Sequence, residues 1–176
     1  MIINKIGCWN IRGINGFKKQ KYVRDWIKNN KLSLFSLIET KVKLARLHSV
    51  QDGLALGDWR IISNATGDVP ARIIIGWDPG IYDVLCVHSD EQLMTCRVSA
   101  FHQSFEVLVT FVYGHNAPAD RNNMWDYIKH HCGNFRLQSW ILMGDFNASL
   151  KLTDCTGGDT NWGAHKNDFG ICMQQS

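Results

Sequence analysis

The sequence contains no long apolar run, no internal repeat and no linker-like segment. No stretch reaches the roughly 18 uninterrupted apolar residues of a membrane helix, and residues 1–10 lack the layout of a signal peptide. We therefore expect an intracellular protein with no membrane partner. Because no low-complexity tract separates one part of the chain from another, residues 1–176 are expected to form a single domain.

The six cysteines are scattered without a C-x-x-C pair or a regular spacing, and several lie inside apolar runs. A free cysteine in such a run packs as a small hydrophobic side chain. A zinc site needs ligands at a spacing that these cysteines do not supply. The cysteines are therefore expected to be reduced and structural.

Charge is distributed unevenly along the chain, although the net charge is only +3. Residues 1–50 carry 11 Lys and Arg against Asp25 and Glu39, whereas the remaining residues carry 8 basic and 14 acidic side chains. A strongly basic segment suits a polyanionic partner, because each neutralised phosphate releases counterions. The alternative is that the run Lys18-Lys19-Gln20-Lys21 is only the solvated face of a helix.

Hydrophobic periodicity predicts mixed helices and strands. Residues 2–9 alternate as a strand does, residues 10–15 read as a loop, and residues 18–30 place Tyr22, Val23, Trp26 and Ile27 on one helical face. A buried strand over 32–38 and a second helix over 44–56 follow. Further strands are predicted over 59–63, 72–77, 82–88, 93–98, 105–112 and 140–143, and a helix over 120–132. The pattern favours an α+β or layered sandwich fold over a purely parallel sheet.

Polar side chains follow three of the predicted strands at the points where those strands end. They are Asn10, Glu39 and the pair Asp145 and Asn147. Strand ends that meet at a common rim are where layered folds place active sites. Carboxylate and amide oxygens there suit Mg²⁺ or Mn²⁺ and would serve phosphodiester hydrolysis. The alternative for each residue alone is a turn or cap role.

Four motifs carry a resemblance to a known family. They are Trp9-Asn10-Ile11-Arg12-Gly13, Glu39-Thr40-Lys41, Val112-Tyr113-Gly114 and Gly144-Asp145-Phe146-Asn147. In order and approximate spacing they resemble the endonuclease/exonuclease/phosphatase family. The run from Cys8 to Gly13 and the Gly157-Gly158 pair are most similar to the apurinic-endonuclease-like domain of plant LINE-type (non-LTR) retrotransposons. The resemblance implies two packed, mostly antiparallel β-sheets flanked by helices.

The resemblance also implies roles for individual residues. Glu39 would be the principal metal ligand, with Asn10 beside it, and the ion would be Mg²⁺ (or Mn²⁺). Asp145 would position or activate the water, and Asn147 would contact the scissile phosphate. Tyr113 would act on the phosphate or on the leaving oxygen, although a strand tyrosine with a hydrogen-bonded hydroxyl is the plainer interpretation.

DNA is the expected partner, and no small-molecule cofactor is implied. The residues expected to meet its backbone are Arg12, Lys18, Lys19 and Lys21. His115 invites a catalytic role, but a solvated loop histidine is preferred, because the essential histidine of the family belongs to a Ser-Asp-His motif. His130 and His131 lie at a predicted helix end, where they interact with the helix dipole.

Part of the family pattern does not occur within residues 1–176. Asp154, Asp159 and Asp168 stand in no matching context, and Ala164-His165-Lys166 does not resemble Ser-Asp-His. We expect a domain that is incomplete at its C-terminus, lacks the last strands of the fold and has weak or no activity. The leading hypothesis is a DNA endonuclease domain of a retroelement, acting in the nucleus if its target is chromosomal. The alternatives are an inactive nucleic-acid-binding remnant and a phosphatase of the same superfamily.

Overall fold

The chain folds into two packed β-sheets whose outer faces are covered by helices. The structure is a computed structural model that describes residues 5–101, 106–135, 138–149, 169–170 and 172. The predictions that concern Gly157-Gly158, Ala164-His165-Lys166 and the acidic residues between 150 and 168 lie outside these residues. Within the described part, no helix is long and apolar enough to cross a membrane.

The first sheet contains four strands in the order β1-β2-β4-β3. Their bounds are Lys5–Asn10 for β1, Leu32–Val42 for β2, Arg60–Ser63 for β3 and Ala71–Trp77 for β4. β1 runs parallel to β2, while β4 is antiparallel to both of its neighbours. The connection from β1 to β2 passes through a helix, which provides the crossover that a parallel pair requires.

The second sheet has the order β5-β6-β7-β8. Its strands are Tyr82–Ser89 for β5, Leu93–Ala100 for β6, Glu106–Tyr113 for β7 and Trp140–Asp145 for β8. β5, β6 and β7 form an antiparallel meander, and β8 pairs with β7 in parallel. The α+β sandwich predicted from the sequence is therefore confirmed, with one parallel pair in each sheet.

Between residues 5 and 149, the described chain forms three α-helices. α1 spans Phe17–Asn30, α2 spans Leu47–Leu54 after a 3-10 turn at Leu44–Arg46, and α3 spans Asn122–Asn134 after a 3-10 turn at Pro118–Arg121. α1 ends because Lys31 adopts a left-handed conformation, with φ 54°, and its N–H caps the last turn.

Separate apolar clusters hold the layers together. Between the sheets, Leu34 and Ile73 meet Val109 and Phe111, and all four side chains are fully buried. α1 and α2 cover the outer face of the first sheet through Val23 and other apolar residues. α3 covers the second sheet through Met124, Trp125 and Ile128, which are buried as the helical stripe predicted.

Several boundaries and one side-chain placement differ from the sequence predictions. Strand β2 continues to Val42 instead of ending at residue 38, and β8 continues to Asp145 instead of ending at residue 143. The predicted helix over 44–56 begins with the 3-10 turn and ends at Leu54. Tyr22 was placed on the apolar face of α1, but it is 50% exposed. Its ring lies under the Lys18 ammonium instead, with Nζ 5.9 Å from the ring centroid.

Candidate active site

The C-terminal ends of both parallel strand pairs meet at one rim of the sandwich. In the first sheet Asn10, the last residue of β1, pairs in register with Ile38 of β2. In the second sheet Tyr113 and Asp145 are register partners at the ends of β7 and β8. Because β1 and β8 are the edge strands on this side of the two sheets, their last residues face each other across the sandwich.

A hydrogen bond joins the two sheets at this rim. Asn10 Nδ2 donates to Asp145 Oδ2 over 3.0 Å, between side chains that are both half-buried. A hydrogen bond to a carboxylate is stronger than one between neutral groups. The amide therefore fixes the position of the carboxylate with respect to the first sheet.

The other oxygen of Asp145 is held by the turn that follows it. Asn147 N donates to Asp145 Oδ1 over 3.0 Å, and Asn147 Nδ2 donates to Gly114 O over 2.6 Å. Gly114 N in turn donates to Asp145 O over 2.8 Å. Asn147 adopts φ 47°, a conformation that asparagine accepts more readily than most residues. This closed set of bonds fixes Asp145 and Asn147 as one unit.

Glycine at position 144 is required by the backbone itself. Gly144 has φ 147°, and a Cβ built there would lie 2.0 Å from Val112 O of the neighbouring strand. Any side chain would push β8 away from β7 just before Asp145. The Gly-Asp-Phe-Asn motif is thus explained in part by close backbone approach.

Glu39 lies inside a bulge in β2 rather than after the end of the strand. Three residues of β2, 39–41, stand between the register pairs Ile38 with Ile73 and Val42 with Ala71, where β4 has only Arg72. Glu39 has φ 58° and Lys41 has φ 57°. Bulges commonly re-aim side chains beside active sites.

The carboxylate of Glu39 is only 18% exposed and pairs with Lys41, with Nζ 3.1 Å from Oε1. The bulge is fastened to the loop after β1, because Gly13 N donates to Glu39 O over 2.7 Å. Glu39 therefore shares the rim with Asn10 through the backbone of neighbouring strands. Its side-chain partner in the described part of the structure is Lys41.

Tyr113 is 6% exposed and packs into the core between the sheets. The guanidinium of Arg72 lies over its ring, with the central carbon 5.6 Å from the ring centroid. Sequence reasoning missed Arg72. No motif surrounds it, and its position at the rim follows from the bulge opposite it in β2.

Sequence reasoning also missed Gln92, which is 6% exposed and holds the loop after Tyr113. Its Nε2 donates to Asp120 O over 2.9 Å, and its Oε1 accepts from His115 N over 2.7 Å. Its carbonyl accepts from Tyr113 N over 2.8 Å. A polar residue between two apolar strands was the only signal in the sequence.

The four basic residues expected to meet DNA fall into two groups. Arg12, Lys18 and Lys21 are exposed. Lys19 is half-buried, and its Nζ donates to Ile11 O over 2.9 Å and to Arg12 O over 2.7 Å. Lys19 therefore stabilises the loop that follows Asn10, and Arg12 N closes this loop on Asn10 Oδ1 over 3.3 Å.

His115 and His131, for which the sequence predicts no catalytic role, have partners elsewhere in the fold. His115 Nε2 lies 3.4 Å from Glu91 Oε2, so this loop histidine is ion-paired when protonated. His131 Nδ1 lies 2.9 Å from Tyr127 O within the last turns of α3. Neither histidine contacts the Asn10 and Asp145 pair.

An open cleft of about 530 Å³ lies over the rim. Its lining residues are Cys8, Asn10, Ile38, Gly144, Asp145, Phe146 and Ala148. Burial and, to a smaller extent, the negative charge of Asp145 raise the pKa of the Cys8 thiol to about 11. Cys8 is therefore protonated at neutral pH and is not an activated nucleophile.

The donor set at the rim suits a hard divalent cation. The Asp145 carboxylate and the Asn10 amide line the cleft, and the Glu39 carboxylate lies on the adjoining bulge of β2, beside Lys41. Mg²⁺ is commonly held by one or two carboxylates and keeps several of its waters. Among the described residues, no three groups from His, Cys, Asp and Glu converge as a full metal cage. The fit is thus to a partly hydrated ion bound by few protein ligands.

Comparison with solved structures places this geometry in a known fold. No protein-family model and no curated protein sequence matches the chain. The endonuclease domain of TRAS1, a telomere-specific non-LTR retrotransposon, matches with a TM-score of 0.69 and 12% identity over 98% of this chain and 70% of that domain. A Neisseria 3' phosphatase, NExo, bound to a product DNA hairpin matches with a TM-score of 0.71 and 15% identity over 97% of this chain and 70% of the other.

An endonuclease/exonuclease/phosphatase family protein from Bacteroides thetaiotaomicron matches with a TM-score of 0.64 and 12% identity, over 93% of this chain and 66% of that chain. At such low identity these likenesses establish the fold, which is the fold that the four motifs predicted. The chain spans about two thirds of the length of each of these structures, from 66 to 70%.

Proposed function

We propose that this chain forms the metal-binding part of a domain that hydrolyses phosphodiester bonds in DNA. The observation that carries the proposal is the Asn10 to Asp145 hydrogen bond, which joins the ends of two sheets into one polar rim. The solved structures with this fold include a retrotransposon endonuclease domain and a phosphatase bound to DNA. The basic residues of the N-terminal third favour a polyanionic substrate over a small phosphorylated one.

Each rim residue has a task that its contacts permit. Asp145, fixed by Asn10 and by Asn147 N, would accept a proton from the attacking water and orient it. One side-chain N–H of Asn147 donates to Gly114 O, and the second N–H would donate to a phosphate oxygen. Tyr113, whose ring is held beneath Arg72, would donate from its hydroxyl to the phosphate or the leaving oxygen.

Glu39, Asp145 and Asn10 would hold Mg²⁺ or Mn²⁺. When bound, the ion polarises the phosphoryl oxygens and stabilises the charge that develops on them. The Lys41 ammonium, 3.1 Å from Glu39, would have to move or share the carboxylate when the ion binds. The finer assignment, to a plant LINE-type retroelement, is proposed on the run from Cys8 to Gly13 and the Gly157-Gly158 pair, and it would act in the nucleus if its target is chromosomal DNA.

The test is conversion of supercoiled plasmid to open circles by the 176-residue chain with Mg²⁺ or Mn²⁺. Slow nicking is expected, because the resemblance assigns part of the site to a Ser-Asp-His motif that residues 1–176 do not contain. Asp145→Asn should lower the rate by about 10² to 10³, as loss of a preorganised group does. Asp83→Asn, an exposed carboxylate near the start of β5, is the matched control and should leave the rate unchanged.

The outcomes separate the candidate functions. Nicking that needs both the metal and Asp145 supports the proposal, and nicking that survives Asp145→Asn contradicts it. Metal-dependent release of phosphate from a 3'-phosphorylated oligonucleotide without plasmid nicking favours a phosphatase. DNA binding without either reaction favours an inactive nucleic-acid-binding remnant.

A further inference from the structure

Arg72 lies at the rim between the bulge of β2 and the ring of Tyr113. It stands alone in β4 opposite the three-residue bulge that carries Glu39 and Lys41. Its guanidinium lies over the ring of Tyr113, whose register partner in the second sheet is Asp145. Arg72 is thus the basic residue that reaches from the first sheet toward the end of β7.

The Arg72 guanidinium has no anionic partner among the residues that the structure describes. None of the ion pairs and hydrogen bonds there involves its guanidinium nitrogens, and the side chain is half-buried. No Arg72 nitrogen is among the buried side-chain atoms without a partner, so its guanidinium N–H groups are accessible to an acceptor from solvent or a ligand. Stacking on Tyr113 uses the face of the guanidinium and not its N–H groups.

A cavity of about 210 Å³ opens beside Arg72, and it is also lined by Asn64, Thr66, Ser89 and the acidic pair that follows Ser89. The two acidic residues already have partners. Asp90 Oδ2 lies 2.9 Å from His88 Nε2, and Glu91 Oε2 lies 3.4 Å from His115 Nε2. Neither carboxylate forms an ion pair with Arg72 among the described residues.

The backbone of Arg72 is held rigidly by a buried asparagine. Asn64 Oδ1 accepts from Arg72 N over 2.9 Å and from Ile73 N over 2.8 Å. Asn64 Nδ2 donates to Asp90 O over 2.8 Å. The backbone that carries Arg72 is thus fixed to the β5–β6 turn, and the guanidinium itself is placed by its contact with the Tyr113 ring.

We propose that Arg72 binds a phosphate group of the nucleic-acid strand, next to the phosphate that lies over Asp145 and Tyr113. The planar guanidinium donates two parallel hydrogen bonds to phosphate oxygens, while its face stays stacked on Tyr113. By holding the neighbouring phosphate, Arg72 sets the register of the strand over the rim. This inference rests on the proposed function, because the strand must cross the rim.

The first experiment needs no nucleic acid and no reaction. The Nε–Hε signal of Arg72 is followed by NMR in the wild-type chain during titration with inorganic phosphate, and Arg72→Lys identifies the signal. We expect a saturable shift of this signal. The matched reference is Arg97, which lies on β6 near Glu106 and away from the rim. If the Arg72 signal moves no more than the Arg97 signal, the inference is overturned.

The second experiment measures binding of a short fluorescein-labelled DNA duplex over a range of salt concentrations, in the presence of Ca²⁺. Arg72→Gln should weaken binding by about tenfold, since a charge-assisted hydrogen bond is lost. It should also reduce the slope of log K against log salt by about 0.9, as loss of one phosphate contact does. Arg72→Lys should keep most of the slope but bind more weakly. Arg97→Gln should change neither quantity.

The two proposals fail in different ways. Nicking that depends on Asp145, combined with an unmoved Arg72 signal and an unchanged salt slope, refutes the role of Arg72 alone. Absence of nicking, combined with a saturable Arg72 shift and the reduced slope, refutes hydrolysis but supports the phosphate site. A variant that fails to fold leaves the wild-type phosphate titration as the deciding measurement.

Discussion

The side chain of Asn10 donates a hydrogen bond to the carboxylate of Asp145 over 3.0 Å, although 134 residues separate them in the chain. The bond joins the last residue of an edge strand in one sheet to the last residue of an edge strand in the other. It is therefore a contact between sheets as well as a feature of the candidate site. Changes at either residue should alter both stability and metal binding.

Asn10→Asp should make stability depend on Mg²⁺. The substitution replaces the donor with a second carboxylate facing Asp145, so the free energy of unfolding should fall by about 1.5 to 3 kcal/mol without metal. An ion that binds the folded state between two carboxylates should restore much of this loss. Urea unfolding with and without Mg²⁺ measures both effects.

The control for this substitution is Asn10→Ala, which removes the donor without adding charge. It should lose stability to a similar extent but recover little when Mg²⁺ is added. Equal recovery of the two variants would show that the rim does not bind the ion through this pair.

Gly144→Ala should destabilise the domain strongly. The new Cβ would stand 2.0 Å from Val112 O, in a backbone conformation that alanine rarely adopts. Because the obstacle is backbone and not a flexible side chain, we expect a loss of about 3 kcal/mol or more. Gly16→Ala, where no atom lies within 4 Å of the new Cβ, is the control. A loss at Gly144 no larger than that at Gly16 would contradict the close approach of β7 and β8. Thermal or urea unfolding gives the comparison.

Charge reversal of Lys18 and Lys21 together should weaken DNA binding without unfolding the protein. Both side chains are exposed, so their loss should reduce the salt slope of binding by up to about 0.9 for each phosphate contact removed. The control reverses Lys5 and Arg60, which lie at the opposite end of the first sheet. Equal effects of the two pairs would mean that only net charge matters.

Lys19 was grouped with these residues in the sequence, but its contacts distinguish it. Lys19→Glu should destabilise the loop after β1, because its ammonium binds the carbonyls of Ile11 and Arg12. We therefore expect the unfolding midpoint to fall for Lys19→Glu and to stay nearly constant for Lys18→Glu. Circular dichroism melts of the two variants separate these outcomes.

The parts of the fold that the sequence predicted are those with a local signal. The i, i+4 spacing of Val23 and Ile27 predicted α1, and both residues are buried. Likewise the β-type segment from Tyr82, bounded by turn-like residues, predicted β5, where buried and exposed positions alternate. These patterns arise within a few residues, so no long-range partner is needed to read them.

The remaining features depend on partners distant in the chain. β2 was expected to end before Glu39, because three polar or charged residues follow Ile38. It continues because positive φ at Glu39 and Lys41 forms a bulge that lets Val42 rejoin β4. Arg72 carries no motif, and its place over Tyr113 follows from how the two sheets pack. The hydrophobic pattern within a few residues therefore predicts neither the bulge in β2 nor the packing of the two sheets.

Cys86 should react with iodoacetamide at a lower pH than an ordinary cysteine. Cys86 and Cys96 are direct register partners on β5 and β6. A hydrogen bond from the Cys96 thiol lowers the pKa of Cys86 to about 7 because it stabilises the thiolate, and burial opposes this shift only in part. The hydrogen bond that Cys96 donates to Cys86, and then burial, raise the pKa of Cys96, so Cys96 keeps its proton and remains the donor. As pH rises, Cys86 therefore becomes thiolate before a free cysteine with a pKa of about 8.5 does.

Alkylation of the Cys86 peptide, followed by mass spectrometry as a function of pH, should reach its half-maximal rate below that value. Cys96→Ala removes the donor and should move the profile to higher pH, whereas an unmoved profile would show that the thiol pair does not activate Cys86.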